Sequence, residues 1–325
     1  MDRNLALEFV RITEAAALAC SKWTGRGDSN AADQAAVDSM RKAFDSIDIE
    51  GTVVIGEGER DEAPMLYIGE KVGAAKPGAP KVDIALDPLE GTSLCAHGIV
   101  GALSVIAVAG QGKFLHAPDT YMEKIAVGPA ALGVVDIDAS VEDNVSAVAK
   151  ALDKKVSEVT VVVLDRPRHS NIITSLRKMG CRILLISDGD VSAGIATSWA
   201  NSGIDMLLGT GGAPEGVITA AALKCLGGDF QGKLKFRNDD ERRRAAKMGV
   251  SDLDRPYKRD ELAQGPVMFC ATGVTDGALL KGVRYLAHRR VLTQSVVMRS
   301  ETGTVRMLES HHDLSRKPIM FSGEL

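Results

Sequence analysis

The sequence predicts an α/β protein with mixed sheets. Three observations carry that prediction. β-Branched runs repeatedly give way to loops rich in glycine and charge and then to helical patterns; glycine is frequent, at 33 of 325 residues; and aromatics make up only 4%. Tight strand-to-helix turns account for the glycines, whereas an all-β sandwich would leave the helical patterns unexplained. A chain of this length buries a large core and is expected to form two lobes, 1–130 and 131–325, with a boundary near Gly128–Gly133.

In chain order, Leu5, Phe9, Ile12, Ala16 and Ala19 recur at helical spacing, so an amphipathic helix comes first. The run Thr52–Ile55 leads into Gly56, Glu57, Gly58, Glu59, Arg60, Asp61 and Glu62, and Val82–Leu86 leads into Asp87, Pro88, Leu89, Glu90, Gly91 and Thr92. Ala102–Ala109 followed by Gln111–Phe114 reads as an antiparallel hairpin. Val159–Leu164 leads into Asp165–His169, Arg182–Ile186 into Ser187–Asp190, and Ile204–Leu208 into Gly209–Gly216. These later strands alternate with helices and predict a mostly parallel sheet. The charged stretch Asn238–Glu261 reads as a surface helix with a long excursion and is given no chemistry. Val267–Cys270 leads into Ala271–Gly277, and Val291–Arg299 with Thr304–Leu308 forms a second hairpin through Glu301–Gly303. Six loops of one kind at strand carboxyl ends point to one composite site, because ligands of open α/β sheets sit outside those ends.

Composition narrows the function. A net charge of −4 carries no nucleic-acid footprint. The five cysteines are scattered, odd in number and without a C-x-x-C pair, as in a cytoplasmic protein with reduced thiols. The first residues carry acids and bases where a signal peptide is apolar, and the longest apolar run, Ile99–Ala109, is too short to span a bilayer of roughly 30 Å. A cytoplasmic protein with no membrane and no nucleic-acid partner is therefore expected. The six histidines lack zinc spacing, and neither a phosphate-binding P-loop nor a nucleophile elbow is present.

The densest chemistry lies in Asp87, Glu90, Gly91 and Thr92. Carboxylates at a strand end suit hard divalent cations, and the helix start beside them suits a phosphate; the same residues also fit an N-capped helix. The acidic turn at Glu57 fits either a cation or solvent. Asp33 and Glu215 each stand near a helix start, where acids are comfortable in any case. Arg166 and Arg168 flank Pro167 and suit bidentate phosphate contacts or surface ion pairs. Asp188, Gly189 and Asp190 offer acceptors for sugar hydroxyls or a helix cap. Gly211 and Gly212 free backbone N–H groups for a second phosphate, and Tyr121 fits a sugar face or the core.

Taken together, these segments resemble the class II fructose-1,6-bisphosphatases of the lithium-sensitive phosphatase superfamily. The resemblance runs from Glu8 to about Leu308. It is most specific in Val54–Glu59, Asp61–Glu70, Asp87–Thr92, Ala117–Lys124, Arg166–His169, Asp188–Val191 and Gly211–Gly216. The wider superfamily usually has aspartate at the place of Glu90, and the class II branch has glutamate. The resemblance implies a layered α-β-α-β-α sugar-phosphatase-type fold with mixed sheets, an N-terminal metal-binding lobe and a C-terminal lobe of substrate-binding loops. It implies Mn²⁺ or Mg²⁺ on Asp33, Glu57, Asp87, Glu90 and Glu215, with Thr92, Glu57 and Asp87 as the catalytic group. Substrate would be held by Glu90, Gly91, Thr92, Tyr121, Arg166, Pro167, Arg168, Asp188, Gly189, Asp190 and Gly212. The implied reaction is hydrolysis of the 1-phosphate of fructose 1,6-bisphosphate; a homo-oligomer, a dimer or tetramer, is expected on base rates alone. Sedoheptulose 1,7-bisphosphate, an inositol or nucleotide phosphate, a catalytically silent regulator and a sugar kinase are the rival readings. Ser29 stands where the family often carries a lysine, which leaves charge neutralisation to Lys22 or Arg26, or to neither.

Overall fold

The computed structural model describes residues 5–58 and 64–316. Helices α1 (Leu5–Cys20) and α2 (Ser29–Phe44) precede strands β1 (Glu50–Ile55), β2 (Lys71–Val72) and β3 (Lys81–Glu90), then α3 (Thr92–His97) and β4 (Leu103–Gly110). Next come β5 (Tyr121–Val127), α4 (Val141–Ala151), β6 (Thr160–Leu164), α5 (Ser170–Met179), β7 (Arg182–Ile186), α6 (Asp190–Ala196) and β8 (Met206–Gly212). They are followed by α7 (Ala213–Leu226), β9 (Asp229–Lys235), α8 (Asp239–Lys247), β10 (Pro256–Lys258) and α9 (Arg259–Leu262). The last strands are β11 (Val267–Gly273), β12 (Arg284–Tyr285), β13 (Arg290–Arg299) and β14 (Thr304–Asp313). The α/β class and mixed sheets expected from the sequence are present.

The chain makes two compact units. One holds the described residues up to Gly112, Met268–Arg299 and those from Thr304 onward; the other holds Lys113–Val267 and Ser300–Gly303.

In the first unit the sheet runs in the order β12-β13-β11-β4-β3-β1-β2, with β14 paired to β13. β1 and β3 are parallel, while β3 and β4 are antiparallel. α1 packs on α2 and against β4 and β13, around a core that includes Phe9, Ile12, Met40, Phe44, Ile84 and Ile106. The expected α1 forms with Leu5, Phe9, Ile12 and Ala16 buried and Leu7 and Arg11 exposed, and its buried side is wide enough to take in Thr13 and Glu14. Its polar groups are satisfied inside: Thr13 Oγ1 lies 2.8 Å from Thr272 Oγ1, and Thr293 Oγ1 donates to Glu14 at 3.2 Å. The hairpin at Gln111–Phe114 does not form. β4, buried along nearly its whole length, takes β3 and β11 as its neighbours, and Phe114 makes a single bridge to Ala263 within the second unit. The second predicted hairpin forms and is longer than expected, with Arg290 paired to Asp313 at its far end.

In the second unit the sheet runs in the order β10-β9-β5-β8-β6-β7. β6 is parallel to β7 and β8, as βαβ crossovers through α5 and α6 require. The mostly parallel expectation fails beyond β8: β5 is antiparallel to both β8 and β9, and β9 to β10. β9 hides in the sequence because Asp229, Gly232 and two lysines dilute its alternating Phe230 and Leu234. The core here gathers Ile125, Val145, Val161, Val163, Leu176, Met206 and Leu208.

Candidate active site

In the first unit, the parallel register of β1 and β3 decides where two acids fall. Ile55 pairs with Ala85, and two residues further along each strand stand Glu57 and Asp87. Side chains two apart share a face, so the carboxylates of Glu57, just past the end of β1, and Asp87, still within β3, come close enough to feel each other's charge. Gly56 lets this happen: a Cβ there would lie 2.1 Å from the Leu66 carbonyl oxygen, to which the Glu57 N–H donates at 3.1 Å. Glu59, Arg60, Asp61 and Glu62 of the predicted acidic turn lie outside the described residues.

The loop expected to begin at Asp87 and Pro88 is still strand. β3 continues through Glu90, with a bulge against β4 between Asp87 and Glu90, and a bulge is where a strand tolerates a residue without an N–H. The bulge brings the two carboxylates together: Asp87 and Glu90 offer oxygens within 4.8 Å of one another. Glu90 is buried, and Asp87 accepts the Leu89 N–H at 2.9 Å. Gly91, left-handed at φ +81°, ends the strand and starts α3 with Thr92.

Asp33 is not the cap its position suggested. Asp28 caps α2 by accepting the Ala31 N–H at 2.9 Å, which leaves Asp33 on the next turn facing Thr92. The Thr92 hydroxyl donates toward Asp33 at 3.5 Å and toward the Leu89 carbonyl at 3.0 Å. Burial raises the Asp33 carboxyl above its ordinary range, against the Thr92 hydrogen bond. Glu57 is pushed up to about 8, first by burial and then by the charges of Asp87 and Asp33. A set of all-oxygen donors in which the charges of Asp87 and Asp33 add to the raised proton affinity of Glu57 fits a hard divalent cation, which relieves that repulsion. Ser29 opens α2, and Arg26 rests over the Trp23 ring at 5.7 Å.

The second unit assembles the remaining candidates on their own framework. Tyr121 opens β5, opposite Gly212 on β8 and Lys235 on β9. Arg166 precedes a short 3₁₀ turn, Pro167–His169, set by the fixed proline φ. Arg168 donates through Nε and Nη2 to the Thr210 carbonyl, at 3.0 and 2.8 Å, and its guanidinium lies 5.0 Å from the Tyr121 ring centre. Arg166 donates through Nη2 to the Ser187 carbonyl at 2.6 Å.

Asp188 accepts the Gly189 N–H at 3.0 Å, and Gly189 at φ +83° starts α6 with Asp190. Gly211 and Gly212 serve their neighbours' carboxylates. A Cβ on Gly211 would meet Asp190 Oδ2 at 1.9 Å, and one on Gly212 would meet Glu215 Oε2 at 1.9 Å, in the first turn of α7.

Sequence reading passed over two buried residues here. Lys124, only 2% exposed, donates to Asp190 at 2.8 Å. His169, 1% exposed, faces the Leu164 carbonyl with Nδ1 at 2.7 Å and accepts the Thr210 N–H on Nε2 at 2.7 Å. That accepted bond makes Nδ1 the protonated nitrogen and the ring neutral, and burial lowers its pKa. The signal for Lys124 was its place inside the apolar alternation of β5, where a charge must find a partner.

A family model described as bacterial fructose-1,6-bisphosphatase, glpX-encoded, matches residues 3–312. A protein of Synechococcus sp. (strain JA-3-3Ab), named D-fructose 1,6-bisphosphatase class 2/sedoheptulose 1,7-bisphosphatase, is 44% identical over 335 aligned positions, covering 96% of each chain. A protein of the same name from Synechocystis sp. is also 44% identical, covering 96% of this chain and 97% of its own. Parallel strand ends that pair acids, a bulge that adds a third and a helix turn that adds a fourth are thus found in a chain that belongs to the glpX-encoded family of bacterial fructose-1,6-bisphosphatases.

Proposed function

We propose that the chain hydrolyses the 1-phosphate of fructose 1,6-bisphosphate, giving fructose 6-phosphate and phosphate. Membership of the family makes it a phosphoric monoester hydrolase. The observation that carries the reading is the convergence of Asp33, Glu57, Asp87 and Glu90 with the Thr92 hydroxyl in the first unit. We assign Mn²⁺ or Mg²⁺ to those four acids, with Glu215 as a fifth ligand on the sequence resemblance alone. Bound there, such ions neutralise phosphoryl charge and lower the pKa of water.

The chain's own groups do the rest. The Thr92 hydroxyl, donating toward Asp33, keeps its lone pairs for an O–H of the attacking water. The proton passes along that bond toward Asp33. As the new P–O bond forms, the bond from phosphorus to the C1 oxygen breaks, and that oxygen takes a proton from solvent. Arg166 and Arg168, held by the Ser187 and Thr210 carbonyls, bind the distal phosphate and align the sugar. Asp188 and Asp190 accept sugar hydroxyls.

The relatives' names favour a second substrate, sedoheptulose 1,7-bisphosphate, at the same site. No helix among the described residues is long and apolar enough to cross a membrane, and we place the enzyme in the cytoplasm as a homo-oligomer. Phosphate release from a panel of sugar bisphosphates with each metal in turn tests the assignment. Release that depends on Mn²⁺ or Mg²⁺ and stops on chelation supports it; release from inositol or nucleotide monophosphates alone refutes it.

A further inference from the structure

Resting on that reading, we infer that Arg237 determines specificity by supplying, with Arg168, a second guanidinium for the phosphate that is not hydrolysed. Arg237 follows β9 at the edge of the charged stretch that sequence reading left without chemistry. It is half exposed, yet it is built into place. Glu241, 2% exposed on α8, accepts the Arg237 backbone N–H at 2.7 Å and its Nε–H, and also the Thr120 hydroxyl at 2.6 Å. Nη2 of Arg237 donates to the Asp119 carbonyl at 3.3 Å. The same Thr120 oxygen lies 3.1 Å from the Lys235 carbonyl, which places this corner beside the strand ends where Tyr121 stands between Gly212 and Lys235.

The outcome is two guanidiniums on one ring. Arg168 lies 5.0 Å and Arg237 5.3 Å from the Tyr121 centroid. Stacking on an aromatic face holds such a group flat and partly desolvated while its outer N–H bonds stay free to turn toward an anion. In their described contacts, Arg168 uses Nε and Nη2 and Arg237 uses Nε and one Nη2 proton, which leaves Nη1 of each uncommitted among those contacts. The buried Glu241 carboxylate fixes an arginine whose far end remains in water. Such fixing has value for aiming a fork, because a pre-oriented guanidinium loses less entropy when it meets a phosphate. Two forks on one rigid ring suit the terminal phosphate monoester of a ketose bisphosphate, and a substrate without that group gains nothing from them.

The test compares kcat/KM for fructose 1,6-bisphosphate with kcat/KM for p-nitrophenyl phosphate, which lacks a distal phosphate. Arg237→Met keeps the packing on Tyr121 and removes the charge. It is expected to lower the ratio by about 10-fold through KM, with kcat for the bisphosphate within about 2-fold of wild type. Arg237→Lys, which keeps charge without the fork, should fall between the two, and Glu241→Gln should raise KM for the bisphosphate with Arg237 still in place. Melting temperatures taken alongside separate a folding defect from a binding one. An unchanged ratio in Arg237→Met, or an equal fall for both substrates, overturns the inference while leaving the assigned activity intact. A wild type inert toward every bisphosphate overturns both.

Discussion

Replacing Glu57 by glutamine should stabilise the cation-free protein while destroying its catalysis. The Glu57 carboxyl sits at about 8 against an ordinary 4.5, because burial and the charges of Asp87 and Asp33 disfavour its ionised form. Between those values the unfolded chain has released the proton and the folded chain still holds it. Folding stability therefore falls as pH rises from about 4.5 to about 8, and the loss is complete above that. A displacement of that size sets a ceiling on the order of 5 kcal/mol. Water reaches one side of the residue, and an effective dielectric near 20 brings the expected loss to about 2 kcal/mol. For a unit of this size that amounts to about 4–8 °C in melting temperature.

The assay is a thermal melt followed by circular dichroism in excess chelator, at pH 5 and at pH 8. Glu57→Gln should melt with wild type at pH 5 and several degrees above it at pH 8. Added Mn²⁺ should then raise the wild type past the variant, because the cation offsets the repulsion that glutamine no longer has. A variant that melts below wild type at pH 8 in chelator would refute the reasoning, since Glu57 would then be stabilising the fold as an ordinary hydrogen-bonded acid.

Other consequences are open to measurement. Asp87→Asn should reduce phosphate release by at least about 100-fold with the far-ultraviolet spectrum unchanged; near-normal turnover would remove Asp87 from the metal site. Lys124→Met leaves Asp190 buried without its cation and should cost about 3 kcal/mol in urea denaturation, with Lys124→Met/Asp190→Asn recovering more than half; a single variant as stable as wild type would show that water replaces the ammonium. Gly56→Ala puts a methyl group 2.1 Å from the Leu66 carbonyl oxygen, and the backbone shift it forces should cost about 1–3 kcal/mol and weaken Mn²⁺ binding in calorimetric titration.

Much of this was legible in the sequence, for reasons that differ from residue to residue. The β-branched runs before Arg166 and Asp188 do end as strands at those loops, because local hydrophobicity and glycine act over a few residues, whereas β3 runs on through Asp87 to Glu90 and β8 on to Gly212. Pairing acts over longer distances and left little local trace. Nothing near Ala102–Ala109 shows that its partners are β3 and β11 instead of the next few residues. Asp33 looked like a cap until Asp28 was seen to hold that place. Gly211 and Gly212 read as a phosphate cradle, and nothing local showed that their missing side chains also make room for Asp190 and Glu215. Lys124, His169 and Arg237 were missed because their meaning lies in partners across the sheet, and a lone basic residue carries no spacing of its own.

The register of β1 and β3 explains why these acids are a functional feature and not an accident of folding. In an antiparallel pair the end of one strand faces the start of the other, so Glu57 and Asp87 would have been separated by the length of the sheet. The parallel pair aligns both ends, Gly56 is spent on holding one of them, and the bulge at Pro88 turns Glu90 back beside Asp87. These devices crowd like charges, and the charges of Asp87 and Asp33 add to burial in raising the proton affinity of Glu57. A sequence under pressure for stability alone would place a neutral side chain at any one of the four positions and gain from it. Four acids kept together against that gain are accounted for by a cation that turns the repulsion into binding.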